Sequence, residues 1–304
     1  MKKKYHELVL VLIILFLYLG LFLSPNLIVD SGIRALLVFK STLFPSIFPF
    51  FTLASLTLYL GFAENLSNYL DNIFKRLFHV SGLSSFIILV SIISGFPSGS
   101  FYIAKLYKDK MLDKREANYL LSFTHFANPL FILSFCASFL TKKIAYKILI
   151  CQLLANIVLG IILRPTEVIV IKNKPKNYHD SLIVALPKAI NGAMGLLLFM
   201  LGSITFFMFV SRLLGVYLQF NSFLTMIETG LLDLTSGLVK LRALPLDLFR
   251  KALITLSFIT FGGGSIHLQV LNNISSLDLD YKYFVMGRVI ETALAICLFL
   301  LFSI

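Results

Sequence analysis

Phe96-Pro97-Ser98-Gly99-Ser100 and Phe261-Gly262-Gly263-Gly264-Ser265 are two interruptions of apolar sequence, the second in register with the first 165 positions earlier. Hydrocarbon offers backbone N–H and C=O groups no water partner, so a helix is unwound at membrane depth only where the freed groups face protein, a cavity or a ligand. Unwound helices at matching places in two halves of a chain mark the binding site of many secondary transporters. The two quoted stretches therefore predict an all-α polytopic membrane protein with inverted repeats, re-entrant hairpins and two unwound transmembrane helices.

The surrounding composition agrees. Of 304 residues, 58% are hydrophobic and only 14% charged, and the mean hydropathy is +0.89, far outside the range of soluble domains. Apolar stretches at Leu8–Leu23, Ala35–Phe62, Ser85–Ala104, Tyr119–Leu140, Ile144–Leu163, Ala189–Leu218 and Tyr283–Phe302 are each long enough, or nearly so, for a spanning or re-entrant element. Ser222–Val239 and Leu253–Leu271 are weaker, polar-interrupted candidates. The 27 Lys and Arg against 15 Asp and Glu lie in short loops between spans, which is topology-setting charge and not a nucleic-acid footprint. Lys2, Lys3 and Lys4 place the N-terminus in the cytoplasm. No small-x-small cleavage pair follows the first span before Pro25, so it reads as an uncleaved anchor.

Charge then orders the spans. If Ala35–Phe62 crossed the bilayer, the next span would carry Lys105, Lys108, Lys110, Lys114 and Arg115 to the outside, against the positive-inside rule. A re-entrant hairpin with its tip at Leu43–Pro49, where Pro45 and Pro49 delete helical hydrogen bonds, removes that conflict. Onward, Arg164, Lys172, Lys174, Lys176 and Lys188 mark a cytoplasmic linker, and Lys240, Arg242, Arg250 and Lys251 mark the inside again, so 189–239 must go out and return. The expected organisation is an anchor over 1–34, a first repeat over 35–164, a linker over 165–188 and a second repeat over 189–304.

The candidate site follows from the breaks and from polar residues inside spans. Ser94, Gly95, Pro97, Ser98, Gly99 and Ser100 form the first break, and Gly262, Gly263, Gly264 and Ser265 the second; glycine lets a ligand approach the backbone and serine adds a small donor and acceptor. Half-helix N-termini suit anions and the carbonyl ends suit cations. Arg288 and Glu291, three apart, either pair on one helical face or leave Arg288 to meet a substrate carboxylate. Glu228 and Thr229 interrupt an apolar segment, where the acid either serves a ligand or coupling proton or lies at a surface. Asn128 with Pro129 opens another span, His125 reads as an interhelical hydrogen bonder or a proton relay, and His267 and Gln269 follow the second break. Cys136, Cys151 and Cys297 are spaced for neither a disulfide framework nor a metal. No Walker loop, HExxH or GxSxG motif is present. No cofactor is expected beyond a coupling Na+ or H+.

The strings Ser94-Gly95-Phe96-Pro97-Ser98-Gly99, Asn128-Pro129-Leu130-Phe131-Ile132, Glu228-Thr229-Gly230, Phe261 through Val270 and Gly287-Arg288 together resemble the sporulation integral membrane proteins of the YlbJ type, also called stage V sporulation protein V, of the nucleoside-recognition Gate group. The resemblance covers about residues 35 to 303. It implies a fold similar to concentrative nucleoside transporters and transport of dipicolinic acid across the outer forespore membrane during sporulation. Phe96 stands where tyrosine is frequent in the family, and His125 to Asn128 replaces a smaller Ser/Gly-rich run. Expected partners are a small anionic or nucleoside-like solute, membrane lipids and further copies of the chain, with no nucleic acid. The alternatives are a non-transporting scaffold for spore-envelope assembly and an intramembrane enzyme using His125 and Glu228.

Overall fold

In the computed structural model, which describes residues 2–80, 82–169 and 178–303, every regular element is helical. The chain runs α1 (Lys2–Leu23), α2 (Pro25–Val38), a π turn at Phe39–Leu43, α3 (Phe44–Tyr59), α4 (Phe62–Phe78), α5 (Leu83–Ser94), α6 (Ser98–Lys108) and α7 (Lys114–Phe123). After an irregular stretch, a π segment (Phe131–Phe135) and a 3-10 turn (Cys136–Ser138) lead to α8 (Lys142–Ile162). Then follow α9 (Leu182–Leu218), α10 (Ser222–Leu232), α11 (Leu234–Ala243), α12 (Leu248–Phe261), α13 (Gly263–Ile274) and α14 (Tyr281–Leu301). Among the described residues five helical stretches are long and apolar enough to cross a membrane, or six if the bent pair α4 and α5 is counted. The protein is a polytopic helical membrane protein.

Local sequence sets the helix starts. Asp113, Thr141, Asn221, Asp233 and Asp247 each accept a backbone N–H from the first turn of the helix they precede, the usual work of short polar side chains at N-caps. Asp113 with Glu116 forms the acidic D-x-x-E start of α7, the Glu116 N–H reaching Asp113 Oδ1 at 2.7 Å. Helix α4 carries Glu64, Asp71, Lys75 and Arg76 beside Phe62, Leu66 and Phe74; such amphipathic helices lie along an interface and do not cross it.

Three expectations about the path are corrected. The stretch Leu43–Pro49 is no hairpin tip: α2, the π turn and α3 make one helical run over Pro25–Tyr59. A proline removes one ladder hydrogen bond, and here the π turn has already displaced the ladder, with the Phe44 N–H reaching back five residues to the Phe39 carbonyl, so Pro45 is absorbed without a turn. Conversely, Ser85–Ala104 is no broken span. The Phe86 and Tyr102 ring centroids lie 5.6 Å apart, whereas sixteen residues of continuous helix would separate them by about 24 Å. Helices α5 and α6 are the two arms of a hairpin whose tip is Gly95-Phe96-Pro97.

The third correction concerns the second half. Helix α9 is a single run of 37 residues, about 55 Å long, with Pro187 inside it. From its far end α10 and α11 fold against each other about Asp233: a Cβ on Gly237 would sit 2.8 Å from the Gly230 nitrogen. Lys240 shares a cleft with Arg212 near the end of α9 and Lys251 bonds the Arg242 carbonyl, so these basic residues lie at the opposite end of α9 from 178–181. The first end also gathers the α6–α7 loop, because the Lys105 ammonium lies over the rings of Tyr59 and Tyr178 at 4.9 and 5.5 Å and Tyr178 bonds Asp109. The linker's Lys172, Lys174, Pro175 and Lys176 fall outside the described residues, as do the side chains of Lys2, Lys3 and Lys4.

Candidate functional site

The first hairpin tip is built against the interruption that follows α7. Gly95 adopts φ 75°, open to glycine without strain, and a Cβ there would strike the Asn128 backbone. The Phe96 N–H donates to the Phe126 carbonyl at 2.7 Å. Asn128 closes the corner from both ends of its amide. Its Nδ2 donates to the Ser94 carbonyl at 3.1 Å and the Ser46 carbonyl at 3.2 Å, tying the hairpin to α3, while its Oδ1 accepts from the Leu130 and Phe131 N–H groups at 2.8 and 3.3 Å. One buried amide thus caps the resumed helix and pins two neighbours.

The second corner has the same parts in different chemistry. At the tip between α10 and α11, Asp233 is 2% exposed. Its Oδ1 accepts from Ser265 Oγ at 2.8 Å, and its Oδ2 from the Ser236 N–H and hydroxyl at 2.9 and 2.7 Å. The interruption it faces is short: Gly262 leaves the helix at φ 95° and α13 begins at once, with Gly263 at φ 68°. A Cβ on Gly263 would sit 2.9 Å from the Gly230 carbonyl, and one on Gly264 2.9 Å from the Phe207 ring and 3.2 Å from the Leu232 carbonyl. Glycines here let hairpin and helix touch backbone to backbone.

Between the two corners lies a pocket lined by Phe96 and Asn128 from the first, Asp233, Thr235, Ser265 and Gln269 from the second, and Ser46, Ile47, Met200 and Ile204 from the long helices α3 and α9. Its free volume is about 30 Å³, room for one or two waters. Gln269, 2% exposed, donates through Nε2 to Ser203 Oγ at 3.1 Å and leaves its Oε1 buried with no partner among the described residues. Asp233 is the one ionisable side chain in the lining.

Of the residues singled out in the sequence, Asn128, Ser265 and Gln269 line this pocket. Ser94, Gly95, Pro97, Ser98, Gly99 and Ser100 build the first tip behind Phe96, with Ser100 Oγ accepting from Asn273 Nδ2 of α13 at 2.9 Å. Gly262, Gly263 and Gly264 shape the second corner. His267 turns away, its two ring nitrogens engaged by the Tyr281 hydroxyl and the Phe261 carbonyl. Glu228 and Thr229 stand behind the second hairpin, bonded to each other and to Ser211.

Arg288 is elsewhere too. Buried to 2%, it pairs with Glu291, donates through Nη1 to the His125 and Thr260 carbonyls at 2.9 and 3.3 Å, and through Nη2 to Asn156 Oδ1 at 3.2 Å. It holds a carbonyl at each interruption instead of facing the pocket. The residues that sequence reasoning missed are Asp233, Ser46 and Thr235. The signal for Asp233 was the Asp-x-Thr-Ser start of a helix between Gly230 and Gly237, which reads as an ordinary N-cap.

Helical hairpins and interrupted helices meet at a buried polar pocket in a chain whose described residues hold five helices of membrane-crossing length, which defines a polytopic integral membrane protein. Over 334 aligned residues the chain is 24% identical to "Sporulation integral membrane protein YlbJ" of Bacillus subtilis (strain 168), an alignment covering 95% of this chain and 81% of that protein. That match supports placing the chain in the YlbJ-type family its motifs resemble. No family model matches the chain, and no solved structure matches it.

Proposed function

We propose that the protein is a secondary transporter of a small anionic or nucleoside-like solute, bound between the two hairpin tips. The observation that carries this is the pocket itself: both tips and both interruptions contribute to it, an arrangement a scaffold does not need. The order long helix, hairpin, interrupted helix, closing helix occurs twice, as Pro25–Tyr59, α5–α6, α7 with its continuation and α8, then as α9, α10–α11, α12–α13 and α14. We read these as inverted repeats, because the hairpins enter from opposite ends of the bundle. Their register differs from the 165-residue offset: the Phe96-Pro97 tip corresponds to Asp233, and the Asn128 interruption to Gly262. Alternating access then follows from one hairpin withdrawing while the other stays. The small pocket volume makes such withdrawal necessary for any solute.

Dipicolinate is the solute the family resemblance implies. The N-terminal ends of α11 and α13 lie at the pocket, so their partial positive charge favours an anion there, whereas the unpartnered Gln269 Oε1 calls for a donor that a nucleoside-like solute carries and the dipicolinate dianion lacks. Asp233 would carry the coupling H+ or neighbour the coupling Na+. The enzyme alternative has less support: neither ring nitrogen of His125 has a hydrogen-bond partner among the described residues, and Glu228, on α10, does not line the central pocket. In the family context the membrane is the outer forespore membrane, with the basic α6–α7 end in the cytoplasm.

The test is uptake of labelled dipicolinate, with a nucleoside for comparison, by cells expressing wild type, Gly264→Leu and Gln269→Leu at matched membrane levels. Uptake by wild type and at least a tenfold loss in both variants is expected. Equal uptake in all three would overturn the assignment of the pocket, and no uptake of either solute by wild type would overturn the solute class.

A further inference from the structure

A second and larger space lies behind the α10–α11 hairpin. The cleft has a volume of about 450 Å³ and is lined by Arg34 from α2, Arg212 and Ser211 from α9, Thr229 from α10, and Ser236 and Lys240 from α11. Three cations from three separate elements converge on it. Charges in membrane-embedded bundles are costly and mark pathways or ligands, and a cleft of one sign with low-dielectric walls concentrates counter-ions.

Two carboxylates stand nearby, and both are already engaged. Asp30 accepts from Arg34 Nε at 2.9 Å and pairs with Arg212; each guanidinium has five N–H donors, so most remain available. Glu228 accepts from the Ser211 and Thr229 hydroxyls, both at 3.1 Å, while its Oε1 is buried without a partner. The Lys240 ammonium donates to Thr229 Oγ1 at 2.8 Å and makes no ion pair within 4.0 Å among the described residues, leaving two donors. Three cations against two acids leave the cleft net positive and rich in unused donors.

We propose that this cleft binds a small oxyanion, carboxylate or phosphate, through Arg34, Arg212 and Lys240. The α10–α11 hairpin is the partition between cleft and central pocket: Ser236 lines the cleft while its N–H and hydroxyl hold Asp233, which lines the pocket. The cleft is then the antechamber from which an anion reaches the pocket when this hairpin moves. That role as an entrance rests on the transport reading; the binding itself does not.

The experiment is calorimetric titration of the purified full chain, in nanodiscs of neutral phosphatidylcholine, with dipicolinate and separately with inorganic phosphate. Binding of at least one probe is expected, weakened about tenfold or more in Arg34→Gln and in Lys240→Gln, as loss of a charge-assisted bond implies. Lys240→Arg retains binding, and Arg250→Gln, at an exposed charge outside the cleft lining, leaves it unchanged. Raising salt should weaken binding by the wild type as well, so the electrostatic origin is tested even if a variant fails to fold. The proposal is overturned if neither probe binds, if both charge variants bind as wild type does, or if affinity is insensitive to salt. Repeating the titration in phosphatidylglycerol nanodiscs separates the sources. Competition by that lipid, lost in Lys240→Gln, assigns the same chemistry to a headgroup; no competition assigns it to a free solute. Anion binding without uptake would sink the transport reading alone, and uptake with unaltered binding in both charge variants would sink this proposal alone.

Discussion

Arg288→Ala gives the strongest stability prediction, because nothing about that residue is solvated. Its guanidinium is buried to 2% and its partner Glu291 to 0%, and Asn156 bridges them, donating to Glu291 Oε1 at 2.6 Å and accepting from Arg288. Removing the cation leaves a buried carboxylate with one amide for company and strips a donor from the carbonyls of His125 and Thr260. Breaking a buried pair by deleting one partner costs about 3–5 kcal/mol. At roughly 2–4 °C per kcal/mol, the expected fall in Tm is roughly 6–20 °C. The double variant Arg288→Met/Glu291→Leu removes both charges at similar volume and should recover most of that loss, because such replacement is often neutral or stabilising. The chain has no tryptophan, but Cys136 and Cys151 are buried and Cys297 exposed. A thiol-reactive dye on a Cys297→Ser background therefore reports unfolding of the core in detergent. An unshifted Tm in Arg288→Ala, or a double variant as unstable as the single, would refute the claim that this ion pair clamps the two interruptions.

Asn128→Leu should cost about 2–4 kcal/mol, since it removes two donated bonds and the cap on Leu130 and Phe131. Asn128→Asp keeps the cap and should fall between, as read by denaturant midpoints in detergent; equal losses would contradict the dual role. Gly237→Ala drives a Cβ to 2.8 Å from the Gly230 nitrogen and 3.1 Å from the Phe258 ring, an overpacking of about 1–3 kcal/mol. Gly202→Ala in α9, where nothing lies within 4 Å, should be neutral or gain up to about 1 kcal/mol, measured by the same dye-based Tm.

How much of this was readable beforehand depends on which residues speak locally. Glycine and proline announce that backbone hydrogen bonds are interrupted, so the breaks at 96–100 and 261–265 stood out. Whether an interruption becomes a hairpin tip or a pause within a helix is settled by what the arms pack against, as Phe86 on Tyr102 shows, and that partner is sixteen residues away. The same local signal misled at Pro45, because the π turn that absorbs it leaves no mark in composition. Loop charge led, in the first half, to a re-entrant hairpin at Leu43–Pro49 where one helical run, Pro25–Tyr59, stands, and it set Lys240 and Arg242 at the wrong end of α9, since a hairpin returns to the side it came from. In the site, Asn128 was legible as an amide beside a proline. Asp233 was not, because a capping aspartate looks alike at a surface and at the centre of a bundle. Arg288 drew notice for its charge and its spacing from Glu291, yet its other partners, His125, Asn156 and Thr260, come from the interruption after α7, from α8 and from α12, which no spacing connects.

Transport through the central pocket requires that the two hairpin tips face one solute. Phe96→Cys and Thr235→Cys variants, each on a background with Cys136, Cys151 and Cys297 replaced, would be reacted with a membrane-impermeant thiol reagent, added in turn to each side of proteoliposomes with and without dipicolinate. The Phe96→Cys variant should react from the end bearing the α6–α7 loop and Thr235→Cys from the opposite end, with the solute protecting both. Reaction of both from the same side, or labelling of either tip that the solute leaves unchanged, would contradict the transport reading.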